Sequence, residues 1–565
     1  MSCEEMVYSN DFAELIFEYN VRMEEFFGKE TEDYCVKRIN AQFAVAYLRR
    51  SVFALDVKDV GYSAIPKLYA PMDLTAPEEV GAVWAQNQMN LQLTGRNVLI
   101  AFIDTGIDLN HPVFLDRNGK TRVIELWDQT DRSGTAPEGI GYGSVYNQKQ
   151  IDERLAEYRE DPSVPLPGKD ESDHGTFLAG VAAGSRDAAA AFIGAAPEAS
   201  IVVVKLKPAK SYLKDLFFVR QEAEAYQEDD IMMALRYVKE VQYRKYRPMV
   251  VCLGMGTNMG GHTGSSTLSR VLNTALRERG IAAVIPTGNE ANMSHHFQGA
   301  VNAATGREAV EIRVPEGSGG FTLELWADVP ERYQVGIRSP GGEEVPSNMA
   351  GRKSSNVYEF VLENTRVLVD YRLTGNDAGG QLILMRFDRP SAGIWTIEVQ
   401  GRAVIWGGYH MWLPVREFVE EGTVFLRPNP NITLTDPSAT ESAITMAGYD
   451  HITGGIYVDS GRGFTRTSQI KPDLAAPAVN VYGPTAGGGY TQKSGTSIAA
   501  ALTAGVCANL MEWAIIKGRD PYIDSTRIKE YLIRGARRES GLSYPSREWG
   551  YGKLDLEGVF RAFQG

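Results

Sequence analysis

The chain carries only seven histidines, so the search for side chains that could move a proton is short. His174 lies in SDHGTFLAG, a polar step followed by small residues that can open a helix. Asp104 follows the apolar run VLIAFI (98–103) and precedes Thr105-Gly106, a turn that leaves its carboxylate at a strand end. Ser497 lies in SGTSIAAALTAG, at the head of a long helix of small residues. A backbone N–H at such a helix start points outward beside the positive end of the dipole, where it can stabilise a developing oxyanion. Taken singly, each residue also reads as a turn aspartate, a helix-start histidine or a capped helix start. Taken together they supply a nucleophile, a base and an orienting carboxylate. A serine hydroxyl is barely ionised at neutral pH and needs a base. An imidazole can take that proton and return it to a leaving amine, and a carboxylate can hold its tautomer and stabilise the imidazolium.

Such groups need a frame. VLIAFI (98–103), IVVV (201–204), MVVCL (249–253) and IAAVI (281–285) are short apolar runs suited to parallel strands buried on both faces. Between them, Ile231, Ala234, Leu235, Val238 and Val241 recur at helical spacing behind Asp229 or Asp230 as N-cap. Leu268, Val271, Leu272, Ala275 and Leu276 form a second stripe, with Gly280 as a stop. The alternation predicts an α/β fold: an open parallel sheet with helices on both faces, whose strand C-termini are where ligands bind. From about Glu308 to Arg427 the style changes to eight or so alternating runs, among them FTLELWA, RVLVDYRL and IWTIEV, separated by turn clusters. That spacing predicts an inserted antiparallel β-sandwich or jelly roll. The first 70 residues read as a small α+β unit, with Leu15, Ile16, Tyr19, Val21 and Met23 in a helical stretch and Ala41–Arg50 as a strand. The expected division is 1–70, 71–302, 303–437 for the insertion and 438–565 for the return of the α/β unit.

The blocks AFIDTGIDLNHP around Asp104, DHGTFLAGVAAG around His174 and SGTSIAAALTAG around Ser497 resemble the three signatures of the subtilisin-like serine proteases. The order Asp, His, Ser is the one subtilisin uses. IPTGNEAN (285–292) is similar to the stretch holding that family's oxyanion asparagine, here Asn289. The resemblance implies a serine endopeptidase that works on protein or peptide substrates through an acyl-enzyme. Ser497 is then the nucleophile, His174 the base, Asp104 its orienting group and Asn289 the oxyanion donor. CLGMG (252–256) fits the stretch that lines the family's cleft, so Cys252, Leu253 and Gly254, with Thr287 and Gly288, are expected to bind substrate. TRVIELWDQT (121–130), the N-terminal unit and the insertion resemble the clostridial spore-germination protease subgroup. By that likeness residues 1–70 are a propeptide, cut autocatalytically near Tyr69. Ala501 stands where the family commonly has proline, and Val113 where it often has a calcium-binding aspartate. The loop 184–192 offers few oxygens beyond Asp187, so no calcium site is expected.

Other signals weigh against cofactors and other partners. GMGTNMG (254–260) has the wrong glycine spacing for a dinucleotide loop. His295-His296 lacks ligands at metal spacing. Trp395, Trp406, Tyr409 and Trp412 are expected in the sandwich core rather than on a sugar platform, and Cys507 in packing. Acidic residues number 71 against 58 basic, a net charge of −13 that gives nucleic acid and anionic membrane no attraction. No apolar stretch is expected to span a bilayer, which needs roughly 18–20 residues. The opening MSCEEMVYSNDF shows no signal peptide, so a cytoplasmic or spore-associated location is expected, with export by another route left open. Four scattered cysteines suggest no disulfide framework and a reducing compartment.

Overall fold

The computed structural model describes residues 2–18, 31–52, 61–71, 79–301, 306–347, 353–374 and 380–564. Its centre is an eight-stranded sheet in the order 474–477, 444–449, 281–286, 249–253, 99–104, 200–205, 123–128, 144–147. All neighbours are parallel except the last pair, an antiparallel edge. The apolar runs fall on these strands because helices cover both faces and leave no solvated side to demand alternation. The strand Leu99–Asp104 lies between Met249–Leu253 and Ser200–Lys205. From it the chain builds outward first one way and then the other, so Asp104 ends a strand at the switch point where open sheets form clefts.

The helix Glu228–Lys245 carries the predicted stripe, but its N-cap is Gln227. Asp229 and Asp230 lie in its first turn, fully buried, where they meet charges from elsewhere in the chain. The second stripe becomes Thr267–Ala275, capped by Ser266, and Gly280 (φ +72°) turns the chain just before the next strand. The helix Thr496–Met511 is buried throughout and runs under the sheet. With its extension to Ile516 it is long and apolar enough to cross a membrane, and 89% of that window is buried inside the protein. Its hydrophobicity therefore serves the core.

The insertion is a two-sheet antiparallel sandwich of six and five strands around a core that includes Phe321, Phe387 and Trp395. The strand His296–Ala300 pairs with Gly408–Trp412, so the sandwich begins ahead of residue 303. Trp395 and Tyr409 are buried in that core as expected, Trp412 is buried instead in a second cluster with Tyr212, Met259 and Trp326, and Trp406 is 75% exposed on a loop tip. The Glu331 carboxylate holds that tip by accepting from the backbone N–H groups of Ile405, Trp406 and Gly407.

The N-terminal unit is a three-stranded antiparallel sheet packed on the helices Glu228–Lys245 and Thr267–Ala275. Leu15 and Ile16 lie in its strand Phe12–Glu18 and not in a helix, because seven residues of that segment pair with Phe43–Arg49. Tyr19, Val21 and Met23 fall outside the described residues. A disulfide joins Cys3, in the helix Cys3–Tyr8, to Cys35 in the strand Tyr34–Arg38. The fold brings together positions 32 residues apart, so the cysteine count no longer argues for a reducing compartment.

Candidate functional site

One strand of the central sheet and two helices converge at its C-terminal edge. Asp104 ends its strand, His174 is the first residue of the helix His174–Ala183, and Ser497 is the second residue of the helix Thr496–Met511. His174 Nδ1 lies 2.6 Å from Asp104 Oδ1, and His174 Nε2 lies 3.4 Å from Ser497 Oγ. The Thr105 N–H donates to the same Asp104 oxygen at 2.8 Å. This spacing fixes Nδ1 as the protonated nitrogen and leaves Nε2 to accept from serine, the tautomer a general base needs. The 3.4 Å separation is loose, as such bonds are before a substrate tightens them.

Asn289 stands in the turn after the strand Ile281–Pro286. Its Oδ1 accepts from the Thr496 N–H at 3.1 Å and the Thr496 hydroxyl at 3.2 Å. Those two donors determine which side of the amide is oxygen and turn the Nδ2 donor the other way. The Ser497 N–H, in the first turn of its helix, is a second donor of the kind an oxyanion hole uses. Gly254, between the strands Met249–Leu253 and Met255–Gly256, lies beside the triad. A Cβ there would lie 2.7 Å from Asp104 Oδ2 and 3.0 Å from His174 Cε1, a space only glycine leaves open.

Of the expected substrate residues, Cys252 and Leu253 are buried with the strand Leu68–Pro71 in place and pair in the central sheet with Phe102 and Ile103. The backbone that accepts an extended segment is Met255–Gly256, just beyond Gly254. An unbroken apolar run does not show where the chain leaves the sheet. Thr287 and Gly288 are also committed internally: the Thr287 N–H donates to Met446 O at 3.0 Å and the Gly288 N–H to Thr496 Oγ1 at 3.1 Å. They hold the turn that carries Asn289. Sequence reasoning missed Thr496 because its role depends on a partner 207 residues away.

Burial pushes the Cys252 thiol up, with the nearby Asp104 charge adding to the effect, and burial pushes Cys507 up as well. Neither thiol is an available thiolate, so serine is the nucleophile the site offers. The Asp187 carboxylate is taken by the Tyr490 hydroxyl at 2.7 Å and the Ala189 and Ala190 N–H groups. His295 Nδ1 faces Glu290 Oε2 at 3.1 Å, whereas His296 Nε2 faces His410 Nδ1 at 3.0 Å. Among the described residues no group of three or more His, Cys, Asp or Glu side chains could hold a metal ion.

The cleft is filled by the chain itself. Leu68–Pro71 runs antiparallel between Tyr226–Gln227 and Met255–Gly256, pairing Leu68 with Gln227, Tyr69 with Tyr226, Ala70 with Gly256 and Pro71 with Met255. Its direction leads toward Gly254 and the triad.

The subtilase family model matches residues 95–318 and 420–552. The PII-type proteinase of Lacticaseibacillus paracasei is 22% identical over 553 residues, 88% of this chain and 27% of that proteinase. The membrane-bound transcription factor site-1 protease of Mus musculus is 32% identical over 138 residues, 23% of this chain and 12% of that protease. The chain thus spans little more than a quarter of the long bacterial proteinase. The structure of the Clostridium perfringens CspB protease superposes with a TM-score of 0.76 at 31% identity, covering 86% of this chain and 96% of that one.

Proposed function

The chain belongs to the subtilase family, and from that premise we propose that it is a serine endopeptidase that hydrolyses peptide bonds in protein substrates and cuts its own N-terminal unit from the catalytic unit. His174 takes the Ser497 proton as the oxygen attacks a carbonyl carbon, then returns it to the leaving amine. Asp104 holds the imidazole and stabilises its cation. Asn289 and the Ser497 N–H receive the oxyanion of the tetrahedral intermediate, and water releases the acyl group by the same route.

The observation that carries this reading is the strand Leu68–Pro71. It adds to two cleft strands by backbone pairing, with the Leu68 side chain buried, the way an extended peptide substrate adds to a sheet edge. The strand continues from Tyr69 to Pro71, which supports a cut near or shortly after that point. N-terminal sequencing of purified protein tests maturation, and a fluorophosphonate probe tests the nucleophile. Wild type is expected to label at Ser497 and to begin at a residue shortly after Pro71. Ser497→Ala is expected to remain uncut and unlabelled. A folded wild type that takes no label removes the enzyme reading, and normal processing of Ser497→Ala removes self-cleavage.

A further inference from the structure

Asp104 and His174 are 70 residues apart in sequence and sit on different elements, yet their bond must hold to a few tenths of an ångström. The segment just before His174 joins those elements. Asp170 is buried, and both of its oxygens are engaged. Oδ1 accepts from the Thr105 hydroxyl at 2.7 Å, the Asp173 N–H at 3.0 Å and the Ser172 N–H at 3.2 Å. Oδ2 accepts from the Thr176 N–H at 2.8 Å. Thr105 completes the loop: its hydroxyl accepts from the Gly175 N–H at 3.0 Å, and its own N–H donates to Asp104 Oδ1. One carboxylate therefore grips the residue after Asp104 with one oxygen and the first turn of the His174 helix with the other.

The grip is itself anchored. Gly168 N–H donates to Asp128 Oδ2 at 2.8 Å, Lys205 Nζ donates to Lys169 O at 2.6 Å, and Ile107 N–H donates to Gly168 O at 2.8 Å. Among the described residues no lysine or arginine forms an ion pair with Asp170, so donors alone stabilise its buried charge. A group buried on those terms is retained for what its bonds hold in place.

We propose that Asp170 is a positioning residue that fixes Asp104 and His174 relative to each other through Thr105 and the Thr176 N–H. This rests on the catalytic reading above. A cap that only started the helix would need the Ser172, Asp173 and Thr176 bonds; the bond to Thr105 has no such use.

The test compares Asp170→Ala, Asp170→Asn, Thr105→Val and the double variant Thr105→Val/Asp170→Ala in the full chain. The readouts are the rate of fluorophosphonate labelling at Ser497 and kcat and KM on a peptide amide, with melting temperature as a check on folding. Asp170→Ala is expected to lower kcat and labelling rate together by about tenfold or more, with KM within about twofold, since only the reacting geometry is lost. Asp170→Asn keeps an acceptor for one side only and falls between Asp170→Ala and wild type. The double variant is expected to be no slower than its slower parent, because both changes cut one link. Folded Asp170→Ala with wild-type kcat overturns the proposal, as does a loss confined to KM or additive effects in the double variant. If Asp170→Ala does not fold, wild-type kcat in both Asp170→Asn and Thr105→Val overturns it instead. Wild type that takes no label refutes the catalytic reading itself, an outcome distinct from labelling that is insensitive to Asp170.

Discussion

Lys210 is the point at which the N-terminal unit can be loosened without touching the catalytic groups. Its ammonium is ion-paired with Glu14 and donates to Met6 O at 3.1 Å and Phe12 O at 3.2 Å, all three partners in the N-terminal unit. Glu14 is fully buried, and its Oε2 accepts from Tyr212 at 2.7 Å. Beside it, Lys207 pairs with Asp230 at 2.6 Å. Burial, with the Asp230 and Glu14 charges, pushes the Asp229 carboxyl well above its usual range. Glu14, Asp229 and Asp230 thus share Lys207 and Lys210. Lys210→Met keeps the length of the stem and strands Glu14. Breaking a buried pair this way costs about 3–5 kcal/mol, or about two to three and a half orders of magnitude in docking of the unit. The assay is hydrogen exchange of the strands Phe12–Glu18 and Phe43–Arg49, in a Ser497→Ala background so that cleavage does not intervene. Exchange is expected to accelerate by that factor in Lys210→Met, and Glu14→Gln/Lys210→Met is expected to regain a large part of the protection. Protection in Lys210→Met equal to the parent, or a double variant less protected than Lys210→Met, refutes the reasoning.

Two further outcomes test other parts of the molecule. Asn289→Ala is expected to lower turnover by about 10²–10³ with little change in KM, because the oxyanion exists only on the reaction path; an unchanged rate places the oxyanion hole elsewhere. His296, whose Nδ1 donates to Asn429 O at 3.0 Å, is pushed down to about 3 by burial. The unfolded chain, with a histidine near 6.5, binds the extra proton first, so stability is present above that pH and is lost as pH falls toward 3, by about 2 kcal/mol at pH 5. His410, stacked on it and also pushed down by burial, adds to the same loss. His296→Gln is expected to flatten the fall in melting temperature between pH 6.5 and 5, and an unchanged slope counts against this assignment.

Local patterns carried most of the architecture. The runs at 98–103, 201–204, 249–253 and 281–285 fall on strands of one parallel sheet, because burial on both faces is written directly into composition. The sandwich strands were equally legible from alternation and turns. Leu15 and Ile16 were misread because a short charged strand looks helical until its partner at 43–49 is known. Trp406 was misread because alternation does not say where a run is broken by a loop.

The sequence by itself pointed to the site: Asp104, His174, Asn289 and Ser497 are recognisable from residue types and their immediate neighbours. Tertiary structure alone decided where the N-terminal unit ends up: it laid Leu68–Pro71 between Tyr226–Gln227 and Met255–Gly256. It also showed that Thr496 orients Asn289 and that Asp170 bridges Asp104 and His174. The physical reason is range. Helix starts and strand ends depend on adjacent residues, whereas a hydrogen bond between positions 65 or 207 apart exists only once the sheet has closed around it.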